Sequence, residues 1–135
     1  MKKLLLILLA LFIVPIASAQ ISLESFTASP SQIAPGEQVQ VRLNLENVGD
    51  DDIKNILISL DLSLVPFAPI ESSTETVIDE IENDENNVVY FNLIALPNAE
   101  PLIYKIPVQI SYDTTLKTAL ISLEVTADPK LDLLL

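Results

Sequence analysis

Residues 38–46 alternate without a break, with Val39, Val41, Leu43 and Leu45 on one parity and Gln38, Gln40, Arg42, Asn44 and Glu46 on the other. A period of two belongs to a strand with one buried and one wet face, and a helix would scatter the same four aliphatic side chains around its axis. The run lies between Pro35-Gly36 and Asn47-Val48-Gly49, which hold the only two glycines of the chain. Gly36 and Gly49 are therefore expected as structural turns, because positive φ is nearly free for glycine and costs other residues about 1 kcal/mol or more. One such strand cannot bury its own apolar face, so the pattern demands a second layer.

The rest of the chain supplies it. Residues 21–27 form a first strand, followed by the turn-rich Ser29-Pro30-Ser31-Gln32. Residues 53–62 place Ile56, Ile58, Leu60 and Leu62 on one face, residues 66–69 break regular structure, and residues 75–81 form a weaker strand. Residues 88–95 follow the polar turn 82–87. Tyr104, Ile106, Val108, Ile110 and Tyr112 then alternate with polar partners, and after Asp113-Thr114-Thr115 so do Ala119, Ile121, Leu123 and Val125, which is an antiparallel hairpin. Pro107 has no ladder donor, so its strand is expected at a sheet edge or bulged. No window has sustained helical periodicity. The fold class is all-β, an antiparallel β-sandwich of about seven strands with Greek-key connections.

The termini have a different character. Met1-Lys2-Lys3, the apolar stretch 4–16 and Ala17-Ser18-Ala19 have the order of a signal peptide spanning 1–19, with the mature chain starting at Gln20. The apolar stretch is short of the roughly 20 residues that span a bilayer, so membrane contact is expected only if the segment stays uncleaved. The expected localisation is exported: cell envelope, cell surface or secreted. Residues 20–127 are the sandwich domain. Residues 128–135 are a linker or the start of a following repeat: Asp128-Pro129 breaks the pattern, and Leu131-Asp132-Leu133-Leu134-Leu135 either extends the last strand system or opens a second unit.

Function classes fall away quickly. With no cysteine there are no disulfides, and with no histidine either there are no His-based triads, thiol nucleophiles or ordinary zinc sites. No catalytic residue, cofactor or nucleic-acid partner is expected: a net charge of −12, which deepens when Lys2 and Lys3 leave with the leader, repels phosphate backbones. Glycoside hydrolysis needs two carboxylates facing across a cleft about 5 to 10 Å wide, and a small domain without tryptophan or long loops is a poor host. Asp50, Asp51, Asp52, Asp84 and Glu85 are weak calcium candidates, since calcium takes several oxygen ligands. Their spacing lacks the D-x-D-x-D-G loop with a distal glutamate, and solvated loop charge is the favoured reading. Tyr90, Tyr104 and Tyr112 are expected in the core or at its rim.

The order Ser29-Pro30, Pro35-Gly36-Glu37, the Val/Leu strand into Asn47-Val48-Gly49, Pro66-Phe67, Val89-Tyr90-Phe91, Ala99, Tyr104 and Ile110-Ser111-Tyr112-Asp113 resembles the immunoglobulin-like domains of archaeal S-layer-like surface proteins. Those are similar to the bacterial cell-adhesion-related (CARDB) domains. Glu100-Pro101-Leu102 stands where such domains often carry a glycine, which puts that local turn in doubt. The resemblance implies an immunoglobulin-like sandwich that is not an enzyme and works as a structural or interaction module of the envelope, with other envelope or repeat domains as protein partners. The alternative is an accessory carbohydrate- or protein-binding domain of an exported enzyme or transporter. Leu133, Leu134 and Leu135 are candidates for a contact surface, and so is Phe67, whose apolar proline-flanked segment could equally close one end of the sandwich. The leader reading is checked by intact mass: the exported protein should begin at Gln20, and a retained Met1 in the membrane fraction would mean an anchor instead.

Overall fold

The computed structural model describes residues 20–127. Residues 1–19, read above as a leader, and residues 128–135, with Leu133, Leu134 and Leu135, lie outside the described residues. Nine strands run in the order β1 Ile21–Ser29, β2 Gln32–Ile33, β3 Gln38–Asn47, β4 Ile53–Leu60, β5 Phe67–Pro69, β6 Glu75–Ile81, β7 Asn86–Ala95, β8 Ile103–Tyr112 and β9 Thr115–Val125. They make two packed sheets, β1-β3-β7-β5 and β2-β9-β8-β4-β6. This is an immunoglobulin-like β-sandwich. All pairings are antiparallel except β2 on β9.

The core forms where the aliphatic parities of the two sheets meet. Val39, Val41, Leu43 and Leu45 of β3 and Val89, Phe91 and Leu93 of β7 face Ile56 and Ile58 of β4, Ile106, Val108 and Ile110 of β8, and Ile121, Leu123 and Val125 of β9, all buried. The chain crosses between sheets from β3 to β4 and from β7 to β8, and β3 lies beside β7 as β4 lies beside β8. The two crossings therefore interlock. The N-terminal segment divides between the layers: β1 pairs β3, and after a cis Ser29–Pro30 bond β2 pairs β9 in the opposite sheet. At the other end of β1, Ile21 is clasped by the β8–β9 hairpin, its N–H donating to the Tyr112 hydroxyl (3.1 Å) and its carbonyl accepting from Lys117 Nζ (3.0 Å).

Three local expectations are corrected. Residues 66–69 contain a short strand, because Phe67 to Pro69 pair with Ala95 to Leu93 at the free edge of β7. Pro107 lies in an interior, unbulged strand. In an antiparallel ladder a residue's nitrogen and carbonyl point to the same neighbour, and Pro107 faces the place where β4 has ended, its carbonyl accepting from Asp61 N (3.0 Å). The missing donor thus falls beyond the ladder. Of the two glycines only Gly36 has positive φ, 84°, with its N–H donating to Ala95 O (2.8 Å). Gly49 is a turn residue for another reason: its N–H is captured by the Asn47 side chain.

Asn47 is the only buried polar side chain among the described residues. Its Nδ2 donates to Asp51 O (2.8 Å) and Ile81 O (2.9 Å), and its Oδ1 accepts from Gly49 N (3.0 Å). The backbone adds two more bonds, Asn47 N to Glu85 O and Asp84 N to Asn47 O, both 3.0 Å. One amide thus joins β3, the turn into β4 and the turn from β6 to β7. Asn47→Ala should cost about 3 kcal/mol in urea unfolding, since it strands three backbone groups at about 1 kcal/mol or more each. Asn47→Asp presents a carboxylate to two carbonyls, so its folded-state pKa is raised above the unfolded value. Measured against wild type, its deficit should be small below pH 4 and grow as pH rises through that folded pKa.

Candidate functional site

With both inner faces committed to the core, chemistry is left to the outer faces, and these differ. On the five-stranded sheet the register lines up Val77 of β6, Leu57 of β4, Ser111 of β8 and Leu116 of β9 in one row. Pro107 and Leu120 pair two rows further along, and Ile103 pairs with Glu124 near the end. Val77, Leu116 and Leu120 are 60%, 66% and 60% exposed. Large aliphatics therefore occupy the parity that solvated strands give to polar residues. Lys105, Gln109, Thr118 and Ser122 are interspersed on the same face.

The outer face of the four-stranded sheet is built from amides and hydroxyls. Its cross-strand rows are Ser29, Gln40, Asn92; Thr27, Arg42, Tyr90; Ser25, Asn44, Val88; and Ser22, Glu46, Asn86. β3 and β7 stay in register throughout, while β1 bulges between Leu23 and Ser25. At that bulge Glu24 accepts from Asn44 Nδ2 (3.0 Å) and from Asn86 Nδ2, locking one end of the face. Toward the other end the side-chain bonding thins to one long contact, Gln40 Nε2 to Asn92 Oδ1 at 3.4 Å.

The residues singled out from sequence are dispersed. Of the two readings of the Phe67 segment, the contact one is corrected: Phe67 is a core residue only 4% exposed, because pairing with Ala95 turns its ring inward, edge-on to Tyr104 at 5.7 Å and 84°. Tyr112 is buried and Tyr104 half-buried, its hydroxyl donating to Glu100 O (2.8 Å). Tyr90 departs from the expected core or rim position, because its parity on β7 is the outward one. The Asp50–Asp52 turn and the turn holding Asp84 and Glu85 do meet around Asn47, yet among the described residues no three acidic side chains converge as a metal site would require. Asp52 Oδ1 accepts from Asn83 N (2.9 Å). Asp61, at the end of β4, accepts from the Ser63 hydroxyl and N–H, which hold its carboxyl below the usual range.

Leu57, Val77, Leu116 and Leu120 were not selected from sequence, although Leu57 and Leu120 occupy polar parities in their strands. That mismatch is the signal that finds them. Among the described residues no helix is long and apolar enough to cross a membrane. A shallow depression of about 500 Å³ lined by Pro35, Pro97, Asn98, Ala99, Pro101, Thr126 and Ala127 lies beside the end of β9 and holds no charged group.

No family model matches the chain. An uncharacterized protein of Methanocaldococcus jannaschii is 31% identical over 118 residues, covering 84% of this chain and 26% of that protein, so the chain spans about a quarter of that relative's length. Among solved structures, the cupredoxin domain of amoB from Nitrosocaldus yellowstonii superposes with a TM-score of 0.54 at 16% identity, over 83% of this chain and 90% of that one. The alkylpurine DNA glycosylase AlkC of Pseudomonas fluorescens gives 0.53 at 11%, over 82% and 32%, and a family 123 glycoside hydrolase of Clostridium perfringens gives 0.50 at 13%, over 82% and 27%. At such identities the likeness is one of fold. A blue-copper centre is built from two histidines and a cysteine, and this chain has neither residue type, so its residues do not fit that group. Because the loop acids do not converge, chelator should leave the melting temperature unchanged, and calcium should act no differently from sodium at equal ionic strength. A calcium-specific rise, measured by thermal denaturation, would contradict this.

Proposed function

We propose that this chain is a non-catalytic interaction module of the cell envelope, of the S-layer-like or adhesion type, exported by its leader and docked through the outer face of its five-stranded sheet onto another protein domain. The observation that carries the reading is the exposed aliphatic set Val77, Leu116 and Leu120 beside Leu57 and Pro107. Five strands at about 4.8 Å spacing and about 3.3 Å per residue give a face of about 600 Å², close to the roughly 800 Å² per partner of a standard interface. Exposed aliphatics interspersed with Lys105, Gln109 and Thr118 match the mixed composition of a non-obligate contact.

Four further observations support the reading. The leader pattern and the lack of cysteine suit an exported domain that depends on packing alone. The residues named above resemble S-layer-like and CARDB domains. The relative is a much longer protein in which a domain of this size is one part. Lys54 and Glu80, at 3.9 Å, form the only ion pair among the described residues, and most surface carboxylates are left to solvent. This keeps the module soluble while its apolar face makes contacts.

Site-specific photocrosslinking in intact cells tests the proposal. A benzophenone side chain at Leu116 or Leu120 should give adducts with an envelope protein, and the same group at Thr27, on the opposite face, should not. Absence of adducts from Leu116 and Leu120, or equal adducts from both faces, would overturn it.

A further inference from the structure

The four-stranded sheet presents a second surface of different chemistry. From the row Ser29, Gln40, Asn92 to the row Thr27, Arg42, Tyr90 the outer face carries no carboxylate, although the chain has 19 acidic residues; Glu24 and Glu46 enter only toward the far end. Arg42 has no ion-pair partner among the described residues. Tyr90, its cross-strand neighbour, is 53% exposed. Gln40 and Asn92 share one weak contact, and an amide has two donors and an acceptor, so most of their hydrogen-bonding capacity is open to a ligand.

We propose that this face binds a neutral glycan, with a sugar ring against Tyr90 and its hydroxyls on Gln40, Arg42 and Asn92. Side chains at i and i+2 on a strand are about 6.7 Å apart and cross-strand neighbours about 5 Å apart. The four groups therefore form a flat patch that one or two hexose units can cover. Amides and guanidinium can pair with neighbouring hydroxyls as donors, and the amides also as acceptors. The tyrosine ring supplies rigid, amphipathic contact area at low entropic cost, the combination that paratopes rich in Tyr, Asn and Ser use.

Charge decides between ligands. A net charge of −12 repels polyanionic polysaccharide at the Debye length of about 8 Å in physiological salt. It leaves an uncharged one unaffected, and the carboxylate-free half of this face adds no acidic group to compete for Arg42. Val88 and Ala68 border the patch without closing it into a pocket, so an extended chain can lie across β3 and β7.

The inference rests on the envelope reading above for its setting and on the opposite sheet for its site, so the two can fail separately. Affinity electrophoresis of the full chain, purified after export, uses native gels containing yeast mannan, barley β-glucan or larch arabinogalactan, with polygalacturonate as the charged comparison. We expect retardation by at least one neutral polysaccharide and none by polygalacturonate. Tyr90→Ala, and separately Gln40→Ala with Asn92→Ala, should weaken that retardation at least tenfold while the melting temperature stays near wild type, because all three side chains face outward. Leu116→Lys with Leu120→Lys should leave retardation intact. No retardation in any neutral gel, retardation by polygalacturonate, or undiminished retardation of both patch variants would overturn the proposal. Loss of protein crosslinks from Leu116 with glycan retardation preserved would overturn only the docking reading.

Discussion

Asn47 is the one fully buried polar side chain among the described residues, and three segments distant in sequence depend on it. β3 ends there, the turn into β4 folds over its amide, and the turn from β6 to β7 returns to the same residue. A buried amide is tolerable only when its donors and acceptor are used, and both Nδ2 donors and Oδ1 are bonded here. Those bonds fix where β3 hands over to the opposite sheet. From there the chain changes sheet at every connection up to β8, and the β8–β9 hairpin stays within one sheet. An apolar residue at 47 would leave the carbonyls of Asp51 and Ile81 and the N–H of Gly49 without partners, so neither turn would keep its path.

Downstream of that junction the architecture is a consequence of parity. Each strand has one aliphatic set to bury, and two sheets facing one another consume all of them. The sandwich therefore closes without a disulfide: Ile21 is held at one end by Tyr112 and Lys117, and Phe67 against Tyr104 covers another edge, an aromatic pair of the kind that contributes about 0.5 to 1.5 kcal/mol beyond its buried area. Four edges remain, β1 and β5 in one sheet and β2 and β6 in the other, and β2 and β5 are only two and three residues long. β1 is interrupted by its bulge, and β6 carries Glu75, Asp79 and Glu80 along its length, both devices that discourage indiscriminate strand pairing.

The two outer faces are then free to diverge, and they do. One carries aliphatics at positions a solvated strand would fill with polar residues; the other gathers Gln, Asn, Ser, Thr, one arginine and one tyrosine. A sandwich is suited to this division because the faces point in opposite directions about 10 Å of core apart, and a ligand on one leaves the other accessible. An envelope module that grips a protein neighbour on one side and a glycan on the other would hold two layers of a surface together. The loop acids lie outside both faces.

Much of the sandwich was legible in the sequence, because burial on one face writes a period of two directly into the residue order. The alternation through Val39, Val41, Leu43 and Leu45, the hairpin from Tyr104 to Val125 and even the weak strand at 75–81 are local patterns, and local patterns need no partner to be recognised. What the sequence left undetermined depends on which strand lies next to which. Phe67 could be placed inside only by its pairing with Ala95, Pro107 could sit in an interior strand only because β4 stops beside it, and Gly49 owes its turn to the side chain of Asn47 rather than to positive φ. The candidate surfaces follow the same rule. Leu57, Val77 and Leu116 become a row, and Arg42, Tyr90, Gln40 and Asn92 become a patch, only when cross-strand register aligns strands distant in sequence, with adjacent partners about 5 Å apart. Sequence alone determined that the chain must bury alternating faces in two layers and that cysteine- and histidine-based chemistry is closed to it; the tertiary structure decided which residues meet on the faces left over, since register is set by non-local pairing that no single strand encodes.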